Sequence, residues 1–225
     1  MQRLCQCRRE LAHEFTHAVT GKTAKFVYKN ESGAVNEHFS DFFAVMIDTS
    51  DWLQSNPEGF RDLSDPTRST RLSGWPAFPD HYDEVLTSSF DQGNVHFNGS
   101  ILNKAAFMVG DTGTNTHPDS NIEVQGIGRE KAEQIWFQAL LSGSPSTGLQ
   151  EMARLLVQSA QSLVGGGVLT QEEACEVQKA MLAVGLSELG CRCDEELECQ
   201  LEGDFVVVVT DTPEITANGT TNQCL

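Results

Sequence analysis

Positive charge is scarce in this chain. Its 225 residues carry 15 Lys and Arg against 32 Asp and Glu, a formal net charge of −17. Holding a nucleic-acid backbone takes clustered Lys and Arg, so that class of function is excluded, and binding to an anionic membrane surface is disfavoured for the same reason. No apolar run reaches about 18 residues, so no helix is expected to cross a bilayer. The first ten residues, Met1 to Glu10, lack the apolar centre of a secretory leader. No internal repeat is visible.

What is present suits a folded protein. Apolar residues make up 39%, enough for a core, and the length fits one domain or one plus a short appendage. The acid excess would keep an exported or salt-exposed protein soluble. Seven cysteines, an odd number, sit near the ends: Cys5 and Cys7, then Cys175, Cys191, Cys193, Cys199 and Cys224. Disulfides in an oxidising compartment are favoured for the tail group. A second zinc site is the alternative, although Cys191-Arg192-Cys193 has a one-residue spacer where zinc sites use roughly two to four.

The chemistry concentrates in His13-Glu14-Phe15-Thr16-His17, an H-E-x-x-H motif. On a helix, residues four apart share a face, so His13 and His17 can reach one ion. Two imidazoles and a carboxylate form a common catalytic zinc shell with one position left for water, and the glutamate between the histidines serves as general base. The motif also occurs by chance on ordinary amphipathic helices. A second segment, Gly33-Ala34-Val35-Asn36-Glu37-His38-Phe39-Ser40-Asp41, narrows the choice. Glu37 would complete a His, His, Glu shell, and Asp41, four residues on, would accept the free ring N–H of a ligand histidine. Solvated surface acids are the bland alternative. Phe39, Phe42 and Phe43 argue against it, because they imply a mostly buried helix in which an unpaired carboxylate is costly.

The spacing of apolar residues predicts helices over 9–20, 34–48, 96–110, 128–142 and 146–163, and a last helix from an N-cap at Thr170 through Leu182, with Glu173 completing a capping box. Residues 49–94 read as loops with short helical turns, and 110–126 as a polar loop. The acidic, Cys-rich tail 190–225 differs, and its Phe205-Val206-Val207-Val208-Val209 reads as a strand. The expected organisation is a mainly α lobe over 1–189 with an appendage over 190–225.

Further motifs follow in order: Tyr28, Ser64-Asp65-Pro66, Pro79-Asp80-His81-Tyr82, Gly93-Asn94-Val95-His96-Phe97-Asn98, Asn103-Lys104-Ala105-Ala106 and Gly126-Ile127-Gly128-Arg129. With the two segments above, they make the sequence resemble the thermolysin family of zinc metallopeptidases over roughly residues 9–186. The resemblance implies the C-terminal helical lobe of the catalytic domain and a zinc-dependent endopeptidase acting on peptides or proteins. Zn2+ would be held by His13, His17 and Glu37, with Glu14 as base. His96 and Tyr28 would stabilise the oxyanion, Asp91 would orient His96, Arg61 would bind a substrate carbonyl, and Phe60 would wall the pocket beyond the scissile bond. Asn36 would support the neighbourhood of Glu37 alongside Asp41. The family often binds calcium near the zinc helix. Here Arg9 stands where a ligating acid is expected and the acidic stretch after Asp48 is short, so that site is expected to be degraded or absent. Family members are usually exported. In the family a β-rich lobe precedes the zinc helix, which here begins within 13 residues of the start, so an incomplete, non-catalytic zinc-binding lobe is the second reading. An exopeptidase with the same shell is the third, and no terminus-binding cluster supports it.

Overall fold

The computed structural model describes residues 2–56, 59–69, 75–115, 117–118, 120–186, 198–201 and 205–208. The chain divides into two compact units, Met1–Ser187 and Glu188–Leu225.

The first unit is built around one buried helix. α1 (Gln2–Thr20) and α2 (Asn30–Ile47) are joined by a short turn, and α2 is buried on nearly all sides from Ser32 to Val45. Val35, Phe39 and Phe42 are fully buried. Each such side chain contributes about 1.5–3 kcal/mol on leaving water, so they draw Glu37 and Asp41 into the interior with them. α3 (Asp91–Gly110) crosses α2 closely at small residues. A Cβ on Gly99 would lie 2.9 Å from the Ala34 carbonyl, and one on Gly33 would lie 2.4 Å from the Val95 side chain. α4 (Arg129–Ser142), α5 (Leu149–Gly165) and α6 (Gln171–Ala183) close the core with Trp136, Leu140, Met152, Leu156, Val177 and Met181. The Thr170–Glu173 capping box starts α6. Cys175 on α6 is disulfide-bonded.

Sequence periodicity placed the helices but missed the small strands. β1 (Leu53–Asn56) and β2 (Gly59–Asp62) form an antiparallel hairpin, with Gln54 opposite Arg61, inside the stretch expected to be loop. β3 (Gly113–Thr114) and β4 (Glu123–Val124) pair within the second expected loop. Strand pattern was weak because these strands are only two to four residues long. α1 and α2 both begin earlier than their apolar stripes, at Gln2 and Asn30.

Asp91, Gln92 and Asn94 have φ of 51°, 56° and 63°, a left-handed turn ahead of the right-handed part of α3. Each non-glycine residue held there costs roughly 1–2 kcal/mol, and such strain collects at functional sites. Ser88 holds the turn, its Oγ donating to Asn94 Oδ1 while Asn94 Nδ2 donates to its carbonyl, both at 2.9 Å.

In the second unit, β5 (Glu198–Leu201) pairs antiparallel with β6 (Phe205–Val208). The strand expected at 205–209 is thus found over 205–208, with a partner that the sequence pattern did not suggest. Cys191, Cys193 and Cys224, for which disulfides and a zinc site are the alternatives, lie outside the described residues.

Candidate metal centre

One turn of α1 separates His13 and His17, and both rings face the polar stripe of α2. Their Nε2 atoms lie 3.1 Å apart. His13 Nε2 is 3.6 Å from Glu37 Oε2, and His17 Nε2 is 3.3 Å from Glu37 Oε1. A tetrahedral ion with bonds of about 2.0–2.1 Å to nitrogen and oxygen sets its ligand atoms about 3.3–3.4 Å apart, and these three distances, the two to Glu37 running to different carboxylate oxygens, lie near that spacing. Among the described residues this is the one group of three or more His, Cys, Asp or Glu side chains gathered closely enough to hold a metal.

The surroundings fix the ring orientations. His17 Nδ1 lies 3.1 Å from Asn36 Oδ1 and 3.1 Å from Ser40 Oγ. Thr20 Oγ1 donates to the same Asn36 oxygen at 2.8 Å, and Ser40 Oγ donates to the Asn36 carbonyl at 3.1 Å. Both neighbours of Nδ1 therefore act as acceptors, the ring proton sits on Nδ1, and Nε2 keeps its lone pair. His13 Nδ1 faces Asp41 Oδ1 at 3.0 Å, an electrostatic contact rather than a well-aligned hydrogen bond. It too leaves Nε2 toward Glu37. Two lone-pair nitrogens meeting at 3.1 Å repel unless a cation or proton stands between them. Glu37 Oε2 is buried and accepts no hydrogen bond, a costly state that a coordinated cation relieves. The donor set and its needs fit zinc.

The electrostatics keep both acids of the site ionised. Burial pushes the Glu37 carboxyl up, but His17 and the charges of His96, Arg61 and His13, if the histidines are protonated, outweigh it and hold it at about 2. Burial lowers His17, yet the hydrogen bond and charge of Glu37 leave its proton affinity raised. Asp41, also pushed up by burial, is held well below the carboxylate range by Arg61 and His13.

Tyr28, 40% exposed, donates to Glu37 Oε1 at 2.5 Å, and its oxygen is 3.4 Å from His96 Nε2. His96 Nε2 also lies 3.4 Å from Glu37 Oε2. The left-handed turn swings Asp91 back onto His96, with Oδ1 2.8 Å from Nδ1 and Oδ2 accepting the backbone N–H at 3.0 Å. Burial lowers the His96 pKa, but Asp91 and Glu37 together raise it. Glu14 is exposed, and its charge reaches His17.

Arg61 is buried and forks onto Asp41, Nε to Oδ2 at 2.8 Å and Nη2 to Oδ1 at 2.5 Å. Strand alternation sends its neighbour Phe60 to the other face of β2. Thr20, Ser40 and Asn103 take part here although the sequence alone assigns them no role. The available signal was the polar stripe Asn36, Glu37, Ser40, Asp41 on an otherwise apolar helix.

Arg9 is buried, and its guanidinium lies among oxygens of the 48–53 loop. It donates to the Asp51 carboxylate, to the Leu53 and Asp48 carbonyls at 2.5 Å each, and to Ser50 Oγ at 3.1 Å.

The profile of the thermolysin metallopeptidase alpha-helical domain matches residues 24–186, a span beginning after His17. Bacillolysin of Brevibacillus brevis is 38% identical over 185 residues, covering 78% of this chain and 32% of that protein. Neutral protease B of Bacillus subtilis (strain 168) is 36% identical with the same coverage. The chain thus spans about a third of the length of the curated relatives it matches. A solved structure, the precursor of protealysin, a metalloproteinase from Serratia proteamaculans, superposes with a TM-score of 0.61 at 23% identity, covering 80% of this chain and 57% of that one. At that identity the likeness shows the fold alone.

Proposed function

The chain belongs to the thermolysin metallopeptidase family and carries its α-helical domain, and from that premise we propose that it supplies the zinc site, base and oxyanion donors of an endopeptidase. The observation that carries the proposal is the convergence of His13, His17 and Glu37, whose ligand atoms lie within 4.8 Å of one another, with Asn36, Ser40 and Asp41 presenting both Nε2 lone pairs inward.

His13, His17 and Glu37 would hold the ion. Bound there, zinc supplies Lewis acidity, which acidifies a water and polarises the scissile carbonyl. Glu14 accepts the proton of the attacking water and passes it to the leaving amine. Tyr28 and His96 donate to the oxygen on which negative charge grows, and Asp91 holds His96 to that task. Arg61 keeps Asp41 ionised, and by that route keeps His13 oriented. Peptides or proteins are the substrate class. The disulfide at Cys175 supports export to an oxidising compartment, and among the described residues no helix is long and apolar enough to cross a membrane. The Arg9 guanidinium already serves as the cation of the 48–53 loop, so calcium is not required there.

The test is Glu14→Gln. It should bind zinc as the wild type does, while peptidase activity falls by about 10²–10⁴-fold, the usual range for loss of a general base. An active Glu14→Gln protein refutes the assignment.

A second reading is favoured by two observations. The chain spans about a third of its relatives, and α1 exposes Leu11 and Phe15, 71% and 66% accessible, beside Glu14. On this reading residues 1–225 bind zinc but need an N-terminal lobe to position substrate. Turnover of a dipeptide substrate by residues 1–225 should then stay well below about 10⁴ M⁻¹s⁻¹ and rise when a relative's N-terminal lobe is joined to them.

A further inference from the structure

His38 follows Glu37 in α2 and is fully buried, yet it lies among Phe39, Phe42 and Trp136, where an apolar side chain would avoid the cost of burying a polar ring. Its hydrogen bonds have a fixed sense. An indole N–H can only donate, so Trp136 Nε1, 2.6 Å away, donates to His38 Nε2. The one proton of the neutral ring is then on Nδ1, which donates to Asn103 Oδ1 at 2.7 Å. With its oxygen so used, Asn103 turns its amide nitrogen toward Asp41 and donates to Oδ2 at 3.0 Å. Asp41 Oδ1 in turn faces His13 Nδ1. Every proton in this line points toward Asp41. Reversing any link sets two donors or two acceptors face to face.

We propose that Trp136, His38 and Asn103 form a one-way buried relay that positions Asp41, and through it His13, for metal binding. The proposal rests on the zinc-site reading above. None of the three touches the metal-holding atoms or a substrate, so they are positioning residues. Asp41 is gripped from three elements. Arg61 of β2 supplies the charge and Asn103 of α3 a neutral bond, while His13 of α1 takes the benefit. The Arg61 fork meets both carboxylate oxygens, and the Asn103 bond ties Oδ2 to α3, the helix that also carries His96. The relay thereby couples the placement of the two halves of the site.

The experiment measures zinc affinity by chelator competition and the visible spectrum of the cobalt-substituted protein, which reports coordination geometry. The variants are His38→Leu, Asn103→Leu, Trp136→Phe and His38→Gln, each checked for folding by circular dichroism. Loss of a partner of a ligand's partner should weaken zinc by about tenfold, the low end of what outer-shell partners cost, with an altered cobalt spectrum. His38→Leu and Asn103→Leu together should cost no more than Asn103→Leu alone, because they cut the same line. His38→Gln can accept from Trp136 through Oε1 and donate to Asn103 through Nε2, so it should restore affinity to within about threefold of wild type. Trp136→Phe nearly keeps the volume and removes only the donor, so it reads the relay even if a histidine variant fails to fold. If folded variants bind zinc as tightly as wild type with an unchanged cobalt spectrum, or if His38→Gln is no better than His38→Leu, the proposal is overturned. Wild-type protein that binds no zinc would overturn the functional reading and this one with it. Wild-type binding with indifferent variants would overturn this one alone.

Discussion

Replacing Arg61 by Met should be among the most damaging single changes to this fold. Asp41 is 1% exposed and receives both Arg61 bonds, at 2.8 and 2.5 Å. Removing one partner of a buried ion pair leaves an uncompensated charge and costs about 3–5 kcal/mol. Asn103 Nδ2 at 3.0 Å and His13 Nδ1 at 3.0 Å remain as partial compensation, so the loss should fall near the lower end, about 3 kcal/mol. The cost is one of stranded charge, so adding Asp41→Asn should return about 1–2 kcal/mol of it. Urea unfolding of chelator-treated protein measures this without a contribution from bound metal. A loss below about 1 kcal/mol for Arg61→Met would refute the reasoning, since that is the worth of a surface pair. So would a double variant as unstable as the sum of the singles.

Three other predictions follow from the same geometry. Burial holds the His38 pKa at about 4, below its usual 6.5, despite the Asn103 bond and the Asp41 charge. The unfolded chain therefore takes up a proton there first. Stability is fully present above pH 6.5 and falls as pH drops toward 4, by up to about 3 kcal/mol. His38→Gln should remove that slope from the difference between variant and wild-type unfolding curves, and an unchanged slope would place the acid sensitivity elsewhere. Millimolar calcium should leave the melting temperature nearly unchanged, because Arg9 already occupies the oxygens of the 48–53 loop, whereas a clear rise would show a calcium-binding site there. Tyr28→Phe should lower kcat by up to about 10²-fold with little change in KM in whichever form of the protein is active, as expected when one of two oxyanion donors is lost. A change confined to KM would make Tyr28 a binding residue instead.

The two histidines and both acids of α2 could be read from the sequence because helical spacing is local. Residues four apart meet whatever the rest of the chain does. Which other residues of α2 meet α1 is not legible, since the helix is buried on nearly all sides and gives little amphipathic cue. For that reason the sequence assigns no role to Ser40, Thr20 and Asn103, and makes Asn36 only a support for its neighbourhood. The β1–β2 hairpin escaped notice because Gln54, Ser55, Asn56 and Gly59 have little strand preference. Its placement comes from long-range contacts such as Arg61 with Asp41. Arg9 could be seen as a misplaced cation in the sequence, but the carbonyls and hydroxyl that surround it come together only in the fold.

Zinc content tests the central claim most directly. Purified wild-type protein should carry about one zinc per chain, as a three-residue N/O site implies, and Glu37→Gln should lose most of it because it removes the shared carboxylate. Full zinc occupancy in folded Glu37→Gln, or none in the wild type after incubation with zinc, would contradict the account.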